Sequence, residues 1–482
     1  MHDGSLYVVA DRLRAAPALC AQVGALDSSS SPFARCAMRW TRRVVQLCAL
    51  AAALSGGATN ARGQQLTAFQ HVRLIDGRGG NVAESMTVVV RGHTIVAVGP
   101  SSTTRVPSGA TIVPGRGRTL MPGLADMHVH LLGGWDGEHS DMLGFAGFLD
   151  ALLYAGVTTA HDMGNVLPYV KQLKQEVSAG QLRGPRLFMV GALVDGVAPA
   201  WPPVSYALRS AEDAPGVVRE MKRGGADHIK AYTGLDEAMV TALVRAATAE
   251  SLRVVADLGP ANGSDMGLRA GIAAYAHAGT ELMADSTIAN MRARGVSTIS
   301  TLAVHESFSE RRLADLAFLR SPLLANVMPP AFVSALITYA RRPLTPSDSA
   351  RRRRLTTDFE NAKRNILRLH QAGVPIVAGT DAPYPGVYYG EGLHRELELL
   401  VEAGLSPLDA IRSATSNAAE FMRDSTWGVI ATGRRADLVL VEGRPDQTIS
   451  DTRRVVAVMQ AGRLLRRAQL THAAQRRATG GT

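Results

Sequence analysis

The stretch Met121-Pro122-Gly123-Leu124-Ala125-Asp126-Met127-His128-Val129-His130 limits what this chain can fold into more than any other. Side chains of a strand alternate between its two faces, so His128 and His130 project together. Two convergent imidazoles are a ready pair of metal ligands. Pro122 and Gly123 punctuate the entry to the strand. A bare His-x-His is weak by itself, since two ordinary polar residues explain it as well. The rest of the chain has to decide.

Composition narrows the chemistry. With 46% apolar and 20% charged residues the chain is globular, and 482 residues suit a large barrel with an accessory module. The formal charge of +10 carries little functional weight: no nucleic-acid motif surrounds the run Arg351–Arg354, which reads as a solvated helix face or loop. Cysteine is more telling. Cys20, Cys36 and Cys48 are the only three, and none follows residue 48. The main body therefore has neither a thiolate nucleophile nor a cysteine zinc site. Any metal there must be held by His, Asp, Glu or a modified Lys.

The N-terminal region reads as an export signal. Arg39, Arg42 and Arg43 follow Met38, residues 44–54 are nearly all apolar, and small residues lead up to Gly63. The apolar run is too short for an ordinary membrane span. Residues 1–37 look like no domain, so translation is expected to start at Met38, with a signal peptide over 38–63 and a periplasmic or secreted product.

Residues 64–118 have hairpin patterning, with β-branched runs around Arg91-Gly92-His93. From 119 to 423 short strands alternate with amphipathic stretches. After the His128 strand come 156–163, 185–192, 227–232, 253–259, 273–279, 296–302 and 374–383. Eight such strands predict an α/β fold, a (β/α)8 TIM barrel. The longest insertion, about 303–355, suits a lid or pocket wall. Residues 424–467 return to β patterning, and 468–482 read as a loose tail. In such a barrel the chemistry sits at the C-terminal ends of strands. The residues there are His128 and His130, then His161 with Asp162, Lys230, Asp257, His277 and Asp381.

LMPGLADMHVH, DHIKAYTG and AGTDAP resemble the amidohydrolase superfamily, its prolidase-like and imidazolonepropionase-like branch, over roughly residues 66–465. The resemblance implies a small β-sandwich built from both chain ends. It also implies a centre for one or two divalent ions, zinc or manganese. His128, His130, Lys230 and Asp381 match ligand positions of the first ion, and Lys230 with His277 match those of the second. An ammonium has donors only and cannot bind a cation, so Lys230 would act as a carbamate formed from the neutral amine and CO₂. Asp257 departs from the pattern, standing where relatives carry histidine. It is read as a carboxylate ligand; a weakened second site is the alternative.

The implied reaction is hydrolysis of a carbon–nitrogen bond in an amide, dipeptide-like or cyclic amide substrate. Asp381 would move the proton, and Tyr232 or the second ion would polarise the carbonyl. His161, His305 and Trp135 are candidate substrate contacts. Lactone or phosphoester hydrolysis uses the same hydroxide, and a secreted binding protein with a degenerate site is the reading from another class. Deamination ranks lower, because mononuclear deaminases rely on the histidine that Asp257 replaces. The partner is a small molecule, with no nucleic acid and no membrane span in the mature form; a homo-oligomer stays open.

Overall fold

A computed structural model describes residues 65–80, 82–132, 145–259 and 265–472. The expected leader (1–37), export signal (38–63), all three cysteines and Trp135 lie outside the described residues.

The strands run β1 (Leu66–Leu74), β2 (Ala83–Arg91), β3 (Thr94–Pro100), β4 (Thr111–Pro114), β5 (Arg118–Pro122), β6 (Leu124–Val129), β7 (Val157–Asp162), β8 (Arg186–Met189) and β9 (Leu193–Asp195). They continue with β10 (Ser205–Ala207), β11 (Ile229–Ala231), β12 (Val254–Ala256), β13 (Ala274–Tyr275), β14 (Ser297–Ile299), β15 (Ile376–Val377), β16 (Leu438–Glu442), β17 (Val455–Gln460) and β18 (Arg463–Leu465). Both chain ends enter one sheet, ordered β18-β17-β16-β5-β1-β2-β3, with β4 on β1. Its inward-facing apolar residues, among them Phe69, Val88, Ile95, Leu120, Leu440 and Met459, share one core.

The stretch that opened the sequence reading divides at Gly123. Met121 and Pro122 belong to β5 and pair with β16, so the end sheet reaches past the expected boundary at 118. Leu124–Val129 begins the parallel series. Gly123 allows the crossing: a Cβ there would lie 2.2 Å from Thr158 Oγ1.

The remaining strands are parallel, in the orders β6-β7-β8 and β10-β9-β11-β12-β13-β14-β15. Helices intervene, as the expected alternation requires. The helix Glu237–Ala249 starts where the Asp236 side chain accepts from Met239 N–H, and Pro346–Gln371 starts with a capping box between Thr345 and Asp348. The helix Ala214–Gly224 stops at Gly225, at φ 92°. Arg351–Arg354 lies on the long helix with Arg351, Arg353 and Arg354 exposed. Apolar residues inside the parallel series, including Met127, Val190, Val255, Ala276, Ile299 and Val377, pack with Phe421 and Trp427. Among the described residues no helix is long and apolar enough to cross a membrane.

The expected tail begins later than residue 468. Leu470 is buried, Arg467 lies 4.0 Å from the Tyr154 ring centroid, and His472 N–H donates to the Asn326 carbonyl at 2.8 Å. An apolar side chain that finds room in the core holds this segment down.

Candidate metal centre

His128 and His130 reach the C-terminal end of β6, as alternation demands. His128 Nδ1 lies 3.0 Å from the Ala276 carbonyl and His130 Nδ1 lies 2.8 Å from that of Gly164. A carbonyl only accepts, so in both rings Nδ1 carries the hydrogen. In the neutral ring the Nε2 lone pair is then free, and this is the tautomer a cation needs.

The segment after β15 supplies the carboxylate. Met127 N–H donates to Ala378 O at 3.0 Å, Asp381 N–H to His128 O at 2.7 Å, and His130 N–H to Ala382 O at 2.8 Å. Gly379 makes this approach possible, since a Cβ would lie 2.7 Å from His128 Cβ. Asp381 has φ 61°, an uncommon conformation for a residue with a side chain, held here by the surrounding hydrogen bonds. Its Oδ1 lies 3.3 Å from His128 Nε2 and 2.9 Å from His130 Nε2. The ligand atoms of His128, His130 and Asp381 all fall within 4.8 Å of one another. Behind them, buried Asp126 accepts from Thr380 N–H at 3.0 Å and from its hydroxyl at 2.7 Å. Burial pushes that carboxyl up to about 7.

A second group adjoins the first. His277 Nε2 is 3.1 Å from Asp257 Oδ2, and the His277 ring centroid is 4.7 Å from that of His128. His277 Nδ1 is 2.7 Å from Thr301 Oγ1. Lys230 is buried at 1% exposure, and burial lowers its pKa against the pull of Asp257 and Asp381. Burial by itself would raise Asp257, but His277 and Lys230 outweigh it and hold the carboxyl well below its usual range. Burial likewise opposes charge on His130; there the Asp381 and Asp162 carboxylates prevail and raise it. On His128 burial wins, reinforced by Lys230 and His277, and its pKa falls well below the ordinary value. The structure thus brings the six expected ligand residues into one neighbourhood.

The expected rim residues divide. Tyr232 lies with its ring centroid 6.0 Å from Lys230 Nζ, and its hydroxyl accepts from Trp201 Nε1–H at 3.1 Å. His305 sits 6.1 Å from His277, ring to ring; burial first, then His277, push its pKa down to about 4. His161 is a correction. It is fully buried rather than on an open rim, 5.2 Å from the His228 ring and 6.3 Å from that of Phe188. Alternation gave its face and not its depth: the turn that follows is closed by Asp162, which accepts from Leu131 N–H and the Asn165 side chain. Tyr384 was not anticipated. It packs 5.2 Å from Phe308, and burial, Asp381 and Tyr232 all raise its pKa. The only hint was its position three residues beyond Asp381.

Comparison with known proteins follows the same lines. The model of the Amidohydrolase family matches residues 119–465. A protein named adenine deaminase 2 from Rhizobium etli is 26% identical over 380 residues, covering 76% of this chain and 53% of the relative. The chain spans about half the length of the curated relatives it matches at this extent. Among solved structures, a putative prolidase from Bifidobacterium longum superposes with TM-score 0.68 at 24% identity, covering 86% of this chain and 99% of that one. A Xaa-Pro dipeptidase with bound methionine gives TM-score 0.67 at 22% identity, covering 83% and 100%.

Proposed function

From a chain that belongs to the amidohydrolase family, we propose a metal-dependent hydrolase that cleaves a carbon–nitrogen bond in a small substrate. One observation carries this reading: two imidazoles with their Nδ1 atoms fixed on carbonyls aim Nε2 at the Asp381 carboxylate. We read the two parallel sheets as arcs of one (β/α)8 barrel, supported by the hydrogen bonds from β6 to residues 378–382. The end sheet is read as the family's β-sandwich.

His128, His130 and Asp381 would hold the first ion, and Asp257 with His277 the second, zinc or manganese in each case. Bound there, divalent ions bring a coordinated water's pKa toward neutrality. Lys230, whose pKa burial lowers, would add to CO₂ from its neutral form: a nitrogen–carbon bond would form, one proton would leave, and the product would be a carboxylate beside both ligand groups. Asp381 would take a proton from the attacking water and return it to the leaving nitrogen. Tyr232 would donate its hydroxyl to the substrate carbonyl, and His305, its ring already donating to the Ala278 carbonyl, would offer Nε2 as an acceptor.

Deamination is the second reading, favoured by the adenine deaminase names of the matched relatives. Sequence reasoning ranked it lower, and it too breaks a carbon–nitrogen bond. The test is a panel of amides, dipeptides, lactones and adenine, each run with zinc and with manganese. Metal-dependent turnover of an amide or dipeptide supports the first reading, and ammonia release from adenine the second. Protein that takes up no metal after growth with ample zinc and manganese overturns both and leaves a binding module.

A further inference from the structure

Resting on the hydrolase reading, we propose that Trp201 forms an aromatic shelf at the mouth of this centre, and that the substrate is an amide carrying a planar apolar group beside the scissile bond. Trp201 is 52% exposed, although a tryptophan of a soluble domain usually covers its indole.

Three restraints hold it there. Buried Asp195 accepts from Gly196 N–H at 2.9 Å and Ala200 N–H at 2.8 Å, pinning both ends of the loop before it. The same carboxylate accepts from Gly234 N–H at 2.7 Å, tying this loop to the one after β11. Pro202 and Pro203 stiffen the turn that follows. The indole N–H then donates to the Tyr232 hydroxyl, beside Lys230. A loop that relaxed freely would fold the indole away; this one presents it.

Its surroundings agree. Val197 is 71% and Tyr206 37% exposed in the same segment, and Val166, 43% exposed, follows the turn that orients His130. Three of the seven large apolar side chains exposed among the described residues, Val166, Val197 and Trp201, thus lie in the loops that follow β7 and β9, and Tyr206 lies on the edge strand β10. An indole face stacks an aromatic ring and gains little from a compact neutral polar group. Asp195 and Trp201 act by positioning and by binding; neither reaches the reacting atoms.

Hydrolysis and binding of N-acetylphenylalaninamide and N-acetylglycinamide test the shelf in wild type, Trp201→Ala and Trp201→Phe, with binding measured by calorimetry on metal-free and metal-loaded full chain. The wild type is expected to prefer the phenyl compound, and Trp201→Ala to cut the phenyl-to-glycyl ratio of kcat/KM and of affinity by about tenfold. Trp201→Phe keeps a ring without the N–H and should restore most of the ratio. An unchanged ratio in Trp201→Ala overturns the shelf while leaving the hydrolase reading intact. Trp201-dependent binding without turnover of any amide keeps the shelf and sinks the hydrolase. A dimer that Trp201→Ala converts to monomer assigns the indole to a second copy of this chain and overturns the proposal.

Discussion

Two clusters of buried carboxylates in this molecule are balanced in opposite ways. Around Glu391 the chain supplies its own cations: Arg312 and Arg453 each reach Oε1 at 2.5 Å. Arg453 also holds Glu398 at 2.5 Å, and Arg395 holds Glu306 at 2.7 Å. Guanidinium is permanently charged and matches a carboxylate in shape, so this cluster is complete without any ligand. At the mouth, Asp381 faces His128 and His130, and Asp257 faces His277. Imidazoles can lose their proton and offer a lone pair, so this cluster suits an added cation. Burial of acids alone therefore says little; the partner type separates scaffold from site.

The comparison is broken most directly at Asp381. Asp381→Ala should lower turnover by about 10³-fold or more, since it removes both a ligand and the proton carrier. Metal content should fall with it, while thermal unfolding of the metal-free protein should change little. A variant that kept metal and activity would erase the distinction.

Glu391→Gln should do the reverse, costing stability and sparing metal content. Burial alone would raise this carboxyl, yet Arg312 and Arg453 hold it down to about 2 against an ordinary 4.5. A depressed acid stabilises the fold fully above its unfolded value and loses that contribution as pH falls through the folded one. Glu391 should therefore contribute on the order of 3 kcal/mol that is lost between roughly pH 4.5 and pH 2, and Glu391→Gln should show a correspondingly shallower slope than wild type. Denaturant unfolding at pH 7, 4 and 3 reads both.

Thr301→Val, which removes the oxygen beside His277 Nδ1, should weaken the second metal equivalent by about 10- to 100-fold and leave the first in place. Equal loss of both equivalents would show that the two groups are not separate sites. The smallest effect is expected from Asp257→His. An imidazole there should tighten the second equivalent within about tenfold, read by competition with a chelator. No change in affinity would put Asp257 outside the ligand set.

The candidate ligand residues were legible for two different reasons. A two-residue period fixes the face of His128 and His130 at the end of β6, whereas His277 and Asp381 lie past β13 and β15 and were read, with Lys230, from the family resemblance. The depth of His161 was not, because depth depends on where Asp162 closes the next turn. The arginine–glutamate cluster joins residues 306, 312, 391, 395, 398 and 453, which only tertiary packing brings together. Tyr384 was missed for a related reason: no periodicity governs the irregular chain after β15. The division of the opening motif at Gly123 escaped because an apolar run looks the same in either sheet.

That division has a consequence for anyone who would trade parts between such proteins. β5 ends and β6 begins with one residue between them, and that residue has no room for a side chain. A transplant that swapped the end sheet at this seam would have to carry a donor splice matched at Thr158, or displace His128 and His130 just downstream. The end sheet and the candidate site are joined through that single residue.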